Sequence, residues 1–173
     1  MTEINNYVFF YGGYCSNFAE THFVWTAFGQ THEFFCSEQA FMWVKAMHFE
    51  DYETAKKIID EKYDPMVCKK LGREVKNYDD SKWADVRFEY MKAVVFEKFN
   101  QNEPLAKALC DKRYDNKIFV EASPTDRIWG IGLSVKTPED ILCDEKNWRG
   151  TNLLGKCINS VREKLLIGLG RVA

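Results

Sequence analysis

The apolar residues change their period at Ser37. Before it they fall in short extended runs; after it they recur about every 3.6 residues, the spacing of one helix face. Tyr7 to Tyr11 is an apolar run closed by Gly12-Gly13, and the stretches 22–28 and 31–36 flank Gly29-Gln30. Glycine at the first of two central turn positions predicts a type II′ hairpin there, hence a small antiparallel sheet. From Ser37, read as a helix cap, Ala40, Phe41, Val44 and Met47 form an apolar stripe that predicts a helix over 38–49. Asp51 opens a second helix ending near 61, and Asp64-Pro65 opens a third that Gly72 is placed to end.

A longer helix is expected from Asp80 or Ser81 to Phe99, with Trp83, Val86, Tyr90, Val94 and Phe99 on roughly one face. Asn102 and Pro104 start another, to about 112; 117–121 reads as a strand, 122–133 as a loop, and 152–166 as the last helix. The residues 171–173 read as an exposed end. No fixed period repeats along the chain, which excludes repeat arrays and collagen, and 46% hydrophobic residues exclude global disorder. At 173 residues one core suffices, so 1–173 is expected to be a single domain.

Charge and cysteine usage narrow the function. Lys and Arg number 24 against 26 Asp and Glu, a net charge of -2, so no long polyanion is drawn by net charge alone, although a local basic pocket remains open. The first ten residues lack the basic and apolar regions of a secretory signal, and no run of about 18 apolar residues suits a membrane. Six cysteines lie apart without a CxxC pair, and the three histidines have no zinc spacing beside them. Reduced thiols in the cytosol or nucleus are expected, with no metal, no cofactor and no membrane partner.

Four groups of residues could carry chemistry. In Ser37 to Ala46, steps of four and three residues stack Glu38, Met42 and Lys45 on one helix face, with the carboxylate and the amine about 10 Å apart along the axis. Plain surface polarity explains such a face equally well, but Lys45 stands among Val44, Ala46 and Met47, an apolar surround that depresses an amine pKa. Trp83 and Arg87, four apart, could form a wall suited to stacking and phosphate pairing, with Arg73 a second phosphate contact; a snorkelling arginine on an amphipathic helix is the plainer alternative. The loop 121–132 gathers Glu121, Ser123, Asp126, Trp129, Gly130 and Gly132 after an apolar strand, where sites are often held. Last, the helix start at 149–156 could offer free amides to an anion, or be an ordinary capped helix.

Taken in order, these segments resemble the NADAR family of YbiA-like N-glycosidases. The resemblance rests on Tyr14-Cys15-Ser16-Asn17-Phe18, the Ser37 to Ala46 block, Gly72-Arg73, Trp83 with Arg87 and Met91, Lys98 to Asn102, Glu121-Ala122-Ser123 with Asp126, Trp129-Gly130-Ile131-Gly132, and Asn152-Leu153-Leu154-Gly155. It implies a compact, mainly helical α+β fold and cleavage of ribose from an amino group of a heterocyclic base. The implied substrates are guanine carrying ADP-ribose in a nucleotide or nucleic acid, or phosphoribosylamino-pyrimidine intermediates of riboflavin synthesis. Lys45 is then the nucleophile, forming a Schiff base with ribose C1, and Glu38 moves protons. The resemblance adds Asp126 to this machinery, with Asn17, Arg73, Trp83, Arg87, Ser123, Trp129 and Gly130 as substrate contacts. Three competing readings stand beside it: attack by a Glu38-activated water; a non-catalytic reader of ADP-ribose, which would need arginines and tryptophans but not Lys45 opposite Glu38; and a purely structural interaction domain with its aromatics entirely in the core.

Overall fold

The computed structural model describes residues 1–171. In chain order it contains β1 (Thr2–Ile4), β2 (Tyr7–Phe10), β3 (Phe23–Ala27), β4 (Gln30–Phe34), α1 (Ser37–His48), α2 (Tyr52–Asp60), α3 (Pro65–Arg73), α4 (Asp80–Asn100), α5 (Glu103–Leu109), β5 (Ile118–Glu121), α6 (Glu139–Leu142) and α7 (Leu153–Gly168). This is a mainly helical α+β fold with small sheets. The chain divides into two units, Asn17–Asn102 and Met1–Ser16 with the described residues from Glu103 onward. Of the end expected at 171–173, Val172 and Ala173 lie outside the described residues; Arg171 donates to the Cys110 carbonyl and faces Asp115.

In the 17–102 unit, β3 and β4 pair antiparallel, with Phe23 opposite Phe34 and Ala27 opposite Gln30. The connecting pair is therefore Phe28-Gly29, with φ of 52° and 71°, a type I′ turn one residue earlier than the expected type II′ turn at Gly29-Gln30. Phenylalanine rarely accepts a positive φ, and here ring contacts offset the strain: Phe28 lies 6.2 Å from the Trp43 ring and 6.1 Å from Tyr90.

Helix α1 packs against α2, α3, α4 and β4, so it is buried on nearly every side and not only along the expected stripe. Its cap is Cys36, whose Sγ accepts from the Gln39 amide at 3.4 Å, while Ser37 is already helical and fully buried. Gln39 ties this helix start to α2: Nε2 donates to the Ile58 carbonyl at 2.9 Å and to that of Glu61 at 2.7 Å. The Lys98 to Asn102 block closes the unit, Gln101 pairing both with the Val24 amide at 2.8 Å and with its carbonyl at 2.6 Å.

Asp51 caps α2 as expected, accepting from Thr54 N at 3.1 Å, and its other oxygen accepts from Lys76 N at 2.9 Å. Burial opposes the charge on this carboxylate, but those hydrogen bonds prevail and hold its pKa below the ordinary aspartate value. Asp51→Ala should therefore cost about 2 kcal/mol at neutral pH, one cap plus one orphaned amide. Because the folded pKa is the lower one, this contribution is complete above the unfolded aspartate value of about 3.9 and disappears as pH falls through the folded value. Urea midpoints of wild type and variant should converge below about pH 4; a gap that persists undiminished at lower pH would refute the assignment.

In the other unit, β2 is the centre of a three-stranded sheet, antiparallel to β1 and parallel to β5, with Tyr7 opposite Ile118 and Phe10 opposite Glu121. Tyr7, Phe9, Val120, Ala122, Ile131, Leu133 and Leu142 form one core there. Helix α7 and the residue before it pack on β5 through two asparagines. Asn159 accepts from Phe119 N at 2.9 Å, and Asn152 accepts from Glu121 N at 2.9 Å, so the outer edge of β5 is paired by side chains. Asn152 precedes α7 in a left-handed conformation, φ 53°, without a side-chain cap. Arg162, nearly buried on α7, donates to the Leu109 carbonyl at 3.0 Å and to Asp115 at 2.7 Å, beyond the end of α5, which stops at Leu109 and not near 112. No helix among the described residues is long and apolar enough to cross a membrane.

Candidate active site

The first turn of α1 carries Glu38, buried at 6% exposure, with its backbone amide on the Asn17 carbonyl at 2.9 Å. Asn17 is itself buried. Its Nδ2 faces the Met91 sulfur at 3.4 Å, an acceptor that sets the orientation of the amide and leaves Oδ1 buried without a partner. An oriented, desolvated acceptor is suited to a donor from a ligand.

Two turns further along α1, Lys45 is half-buried. Nζ donates to the Gly72 carbonyl at 2.8 Å and sits over the Tyr78 ring, 4.2 Å from its centroid. Gly72 does not end α3 as expected, since the helix runs on to Arg73; the position is tight for another reason, because a Cβ there would meet Met42 Cγ at 2.8 Å. The bare backbone lets α3 press onto α1 and brings its carbonyl to the amine. Burial pushes the Lys45 pKa below the ordinary lysine value; Asp80 and Glu38 oppose that shift, and Arg73 adds to it. Glu38 and Lys45 thus feel each other's charge within one helix face. Burial also raises the nearby thiols, Cys36 to about 11 and Cys68 to about 12, so neither supplies a thiolate that would compete with the amine near neutral pH.

Arg73 is exposed and close enough to Lys45 to act on its charge. Arg87 is half-buried on α4, with Nε buried and unpartnered, and its charge reaches Tyr78. An unmatched guanidinium nitrogen favours an anion. Trp83, expected as a stacking wall for a base, is instead 5% exposed: Tyr90 stacks on it at 5.9 Å and Phe41 lies 5.2 Å away. That ring is a core aromatic which fixes α4 against α1.

The loop 122–133 holds the remaining candidates in the other unit. Asp126 Oδ1 accepts from the amides of Ile128 at 2.9 Å and Trp129 at 2.8 Å, and Ser123 Oγ accepts from Asp126 N at 3.1 Å. The carboxylate therefore shapes the loop through one oxygen. Gly130 is buried where the loop folds on itself, a Cβ there meeting that of Ser123 at 2.8 Å, and Trp129 is half-buried. Of the two readings of the α7 start, the structure shows the capped helix: Asn152, Leu153 and Leu154 donate to the carbonyls of Gly130, Ile128 and Trp129 at 3.0 to 3.2 Å. No anion site is open there, because the loop itself caps the helix.

Tyr78 and Asp80 were not among the residues expected at this site. Their only signal is the acid-rich start of α4, which reads as capping, since Asp79 does cap it. Tyr78 reaches Lys45 through Asn77, whose φ of 59° turns the chain just before α4.

A model of the NADAR domain matches residues 9–166. The chain is 42% identical over 136 residues to the protein irg-1 of Caenorhabditis elegans, covering 77% of this chain but only 61% of that protein. It is 39% identical over 132 residues to an N-glycosidase of Acanthamoeba polyphaga mimivirus, covering 76% of this chain and 75% of the relative. A riboflavin biosynthesis protein of Vibrio vulnificus is 31% identical over 121 residues, which are 70% of this chain and 29% of the relative. Among solved structures, that of the Escherichia coli protein YbiA superposes with a TM-score of 0.72 at 24% identity, covering 99% of this chain and 92% of YbiA, a likeness of fold.

Proposed function

The chain belongs to the NADAR domain family, and from that premise we propose that it is an N-glycosidase cleaving the bond between ribose C1 and an exocyclic amine of a base. The favoured substrate is guanine bearing ADP-ribose, in a nucleotide or in DNA or RNA. The observation that carries this reading is Lys45, an amine with a depressed pKa on the same helix face as a buried carboxylate. An N-ribosylated exocyclic amine can open its ring to an imine at C1. Neutral Lys45 adds to that carbon, the base amine leaves with a proton, and a Lys45 imine to the sugar remains. Water then adds, and free sugar and free amine are restored. Glu38 is the group that delivers the proton to the leaving amine and takes one from water.

Arg73 and Arg87 are the phosphate contacts in this reading, and the unpartnered Nε of Arg87 supports it. Asn17 Oδ1 would accept from a hydroxyl or amine of the substrate. Within its own unit, the 122–133 loop carries the other contacts that the resemblance implies, Ser123, Asp126, Trp129 and Gly130; Asp126 has its second oxygen for such a role. Arg87→Ala should raise KM roughly tenfold or more with little change in kcat, the effect of losing one charged hydrogen bond made equally in ground and transition states. Steady-state kinetics that instead showed a collapse of kcat at unchanged KM would remove Arg87 from phosphate binding.

The name of the Vibrio relative favours a second reading, a phosphoribosylamino-pyrimidine of riboflavin synthesis. It presents the same bond and one phosphate instead of two. Parallel turnover of an ADP-ribosylated guanine oligonucleotide and of the pyrimidine, followed by chromatography of the released sugar phosphate, decides between them. Binding of both without release of either would leave only a non-catalytic reader.

A further inference from the structure

Lys45 is restrained from two sides, and the two restraints differ in what they recognise. The Gly72 carbonyl accepts a hydrogen bond from either protonation state of the amine. A ring face carries negative potential, so it attracts an ammonium and repels the lone pair of a neutral amine. Tyr78 offers that face at 4.2 Å. The ring is fixed although it is 42% exposed: its hydroxyl donates to Asp80 at 2.7 Å, and Phe49 packs edge-on at 5.4 Å. Donation to a carboxylate makes the ring more electron-rich and strengthens its hold on a cation.

We propose that Tyr78 is a positioning residue that latches Lys45 in its protonated resting form and lets go of the amine once the proton has left. This rests on the reading of Lys45 as the nucleophile and adds the step that precedes attack. The charged groups acting on Nζ are Asp80 at the start of α4, Glu38 on α1 and Arg73 at the end of α3, with Arg87 of α4 acting on Tyr78 itself. Burial and the bond to Asp80 push the Tyr78 hydroxyl up to about 12, so it remains a donor throughout the range in which Lys45 is used. A resting latch also keeps the amine from adding to stray aldehydes, because an ammonium has no lone pair to give.

The test measures the ionisation of Lys45 without turnover. Acetylation by an N-hydroxysuccinimide ester, followed across pH by mass spectrometry of the Lys45 peptide, reports the neutral fraction directly. In Tyr78→Leu, a side chain that still covers the amine but has no π face, the midpoint should fall by about half a pH unit. Tyr78→Phe, which keeps the ring face and loses only the strengthening through Asp80, should fall by clearly less than Tyr78→Leu. The acid limb of kcat/KM should move down with the labelling midpoint, since activity rises with pH as Lys45 loses its proton. An unmoved midpoint in Tyr78→Leu, or an equal displacement in Tyr78→Phe, overturns the latch. Absence of a borohydride-trapped adduct in the wild type is a separate failure, which overturns Lys45 as nucleophile and not the contact that labelling measures.

Discussion

Lys45→Ala should lower turnover of ADP-ribosylated guanine by at least about a thousandfold and abolish any sugar adduct trapped by borohydride. The expectation follows from chemistry and placement together. Lys45 combines an amine with a backbone carbonyl to orient it, a ring face over it and a buried carboxylate on the same helix face. The substitution should leave the fold in place, because Lys45 is half-exposed and the core of α1 is formed by Ala40, Phe41, Trp43, Val44 and Ala46. Lys45→Arg is the sharper variant. It keeps the positive charge, the donor for Gly72 and the contact with Tyr78, yet a guanidinium stays protonated and cannot form an imine. If the arginine variant retained appreciable turnover, the covalent route would be abandoned for attack by water activated at Glu38.

The second large effect falls on stability. At Gly150 a Cβ would lie 2.7 Å from the Arg127 Cα and 2.8 Å from its carbonyl oxygen, and would also strike the Gly130 carbonyl. All three obstacles are backbone, and the same stretch is pinned by amide bonds from Thr151 to Arg127 at 3.0 Å and from Asn152 to Gly130 at 3.2 Å. Nothing there can rotate away. Gly150→Ala should cost about 3 kcal/mol, which lowers Tm by roughly 10 °C in a chain of this size. The contrasting case is Gly72, where the obstacle is the Met42 side chain from Sδ back to Cβ and no backbone atom, so that side chain can turn and Gly72→Ala should cost less than Gly150→Ala. Thermal melts of the two variants check the ranking; equal losses would mean that the loop is softer than its hydrogen bonds imply.

Helix starts could be read from sequence because their cause is local. Asp51, Asp64 before Pro65, and Asp79 act on amides two or three residues away, and α2, α3 and α4 begin beside them, the last capped one residue before the Asp80 or Ser81 that the sequence suggested. What could not be read depends on partners far along the chain. The turn at Phe28-Gly29 uses a strained phenylalanine that rings of Trp43 and Tyr90 support. The parallel pairing of β2 with β5 joins Tyr7 to Ile118, and no local pattern announces it. At the site, Glu38 and Lys45 were visible through helical spacing. Tyr78 was not, since it reaches Lys45 only through the left-handed Asn77. Trp83 has the composition of a ligand wall and the surroundings of a core residue, a difference set by Phe41, Phe49 and Tyr90 and absent from its own sequence neighbours.

An unpaired strand at the margin of a sheet is an invitation to another chain, which can add its own strand and continue the ladder into an aggregate. On the β5 side that route is closed from within. The carboxamides of Asn152 and Asn159 occupy the Phe119 amide and carbonyl and the Glu121 amide, groups that an incoming strand would need. Polymerisation through this margin would first require α7 to peel away from β5, so the helix that completes the fold also sets a barrier to its self-association.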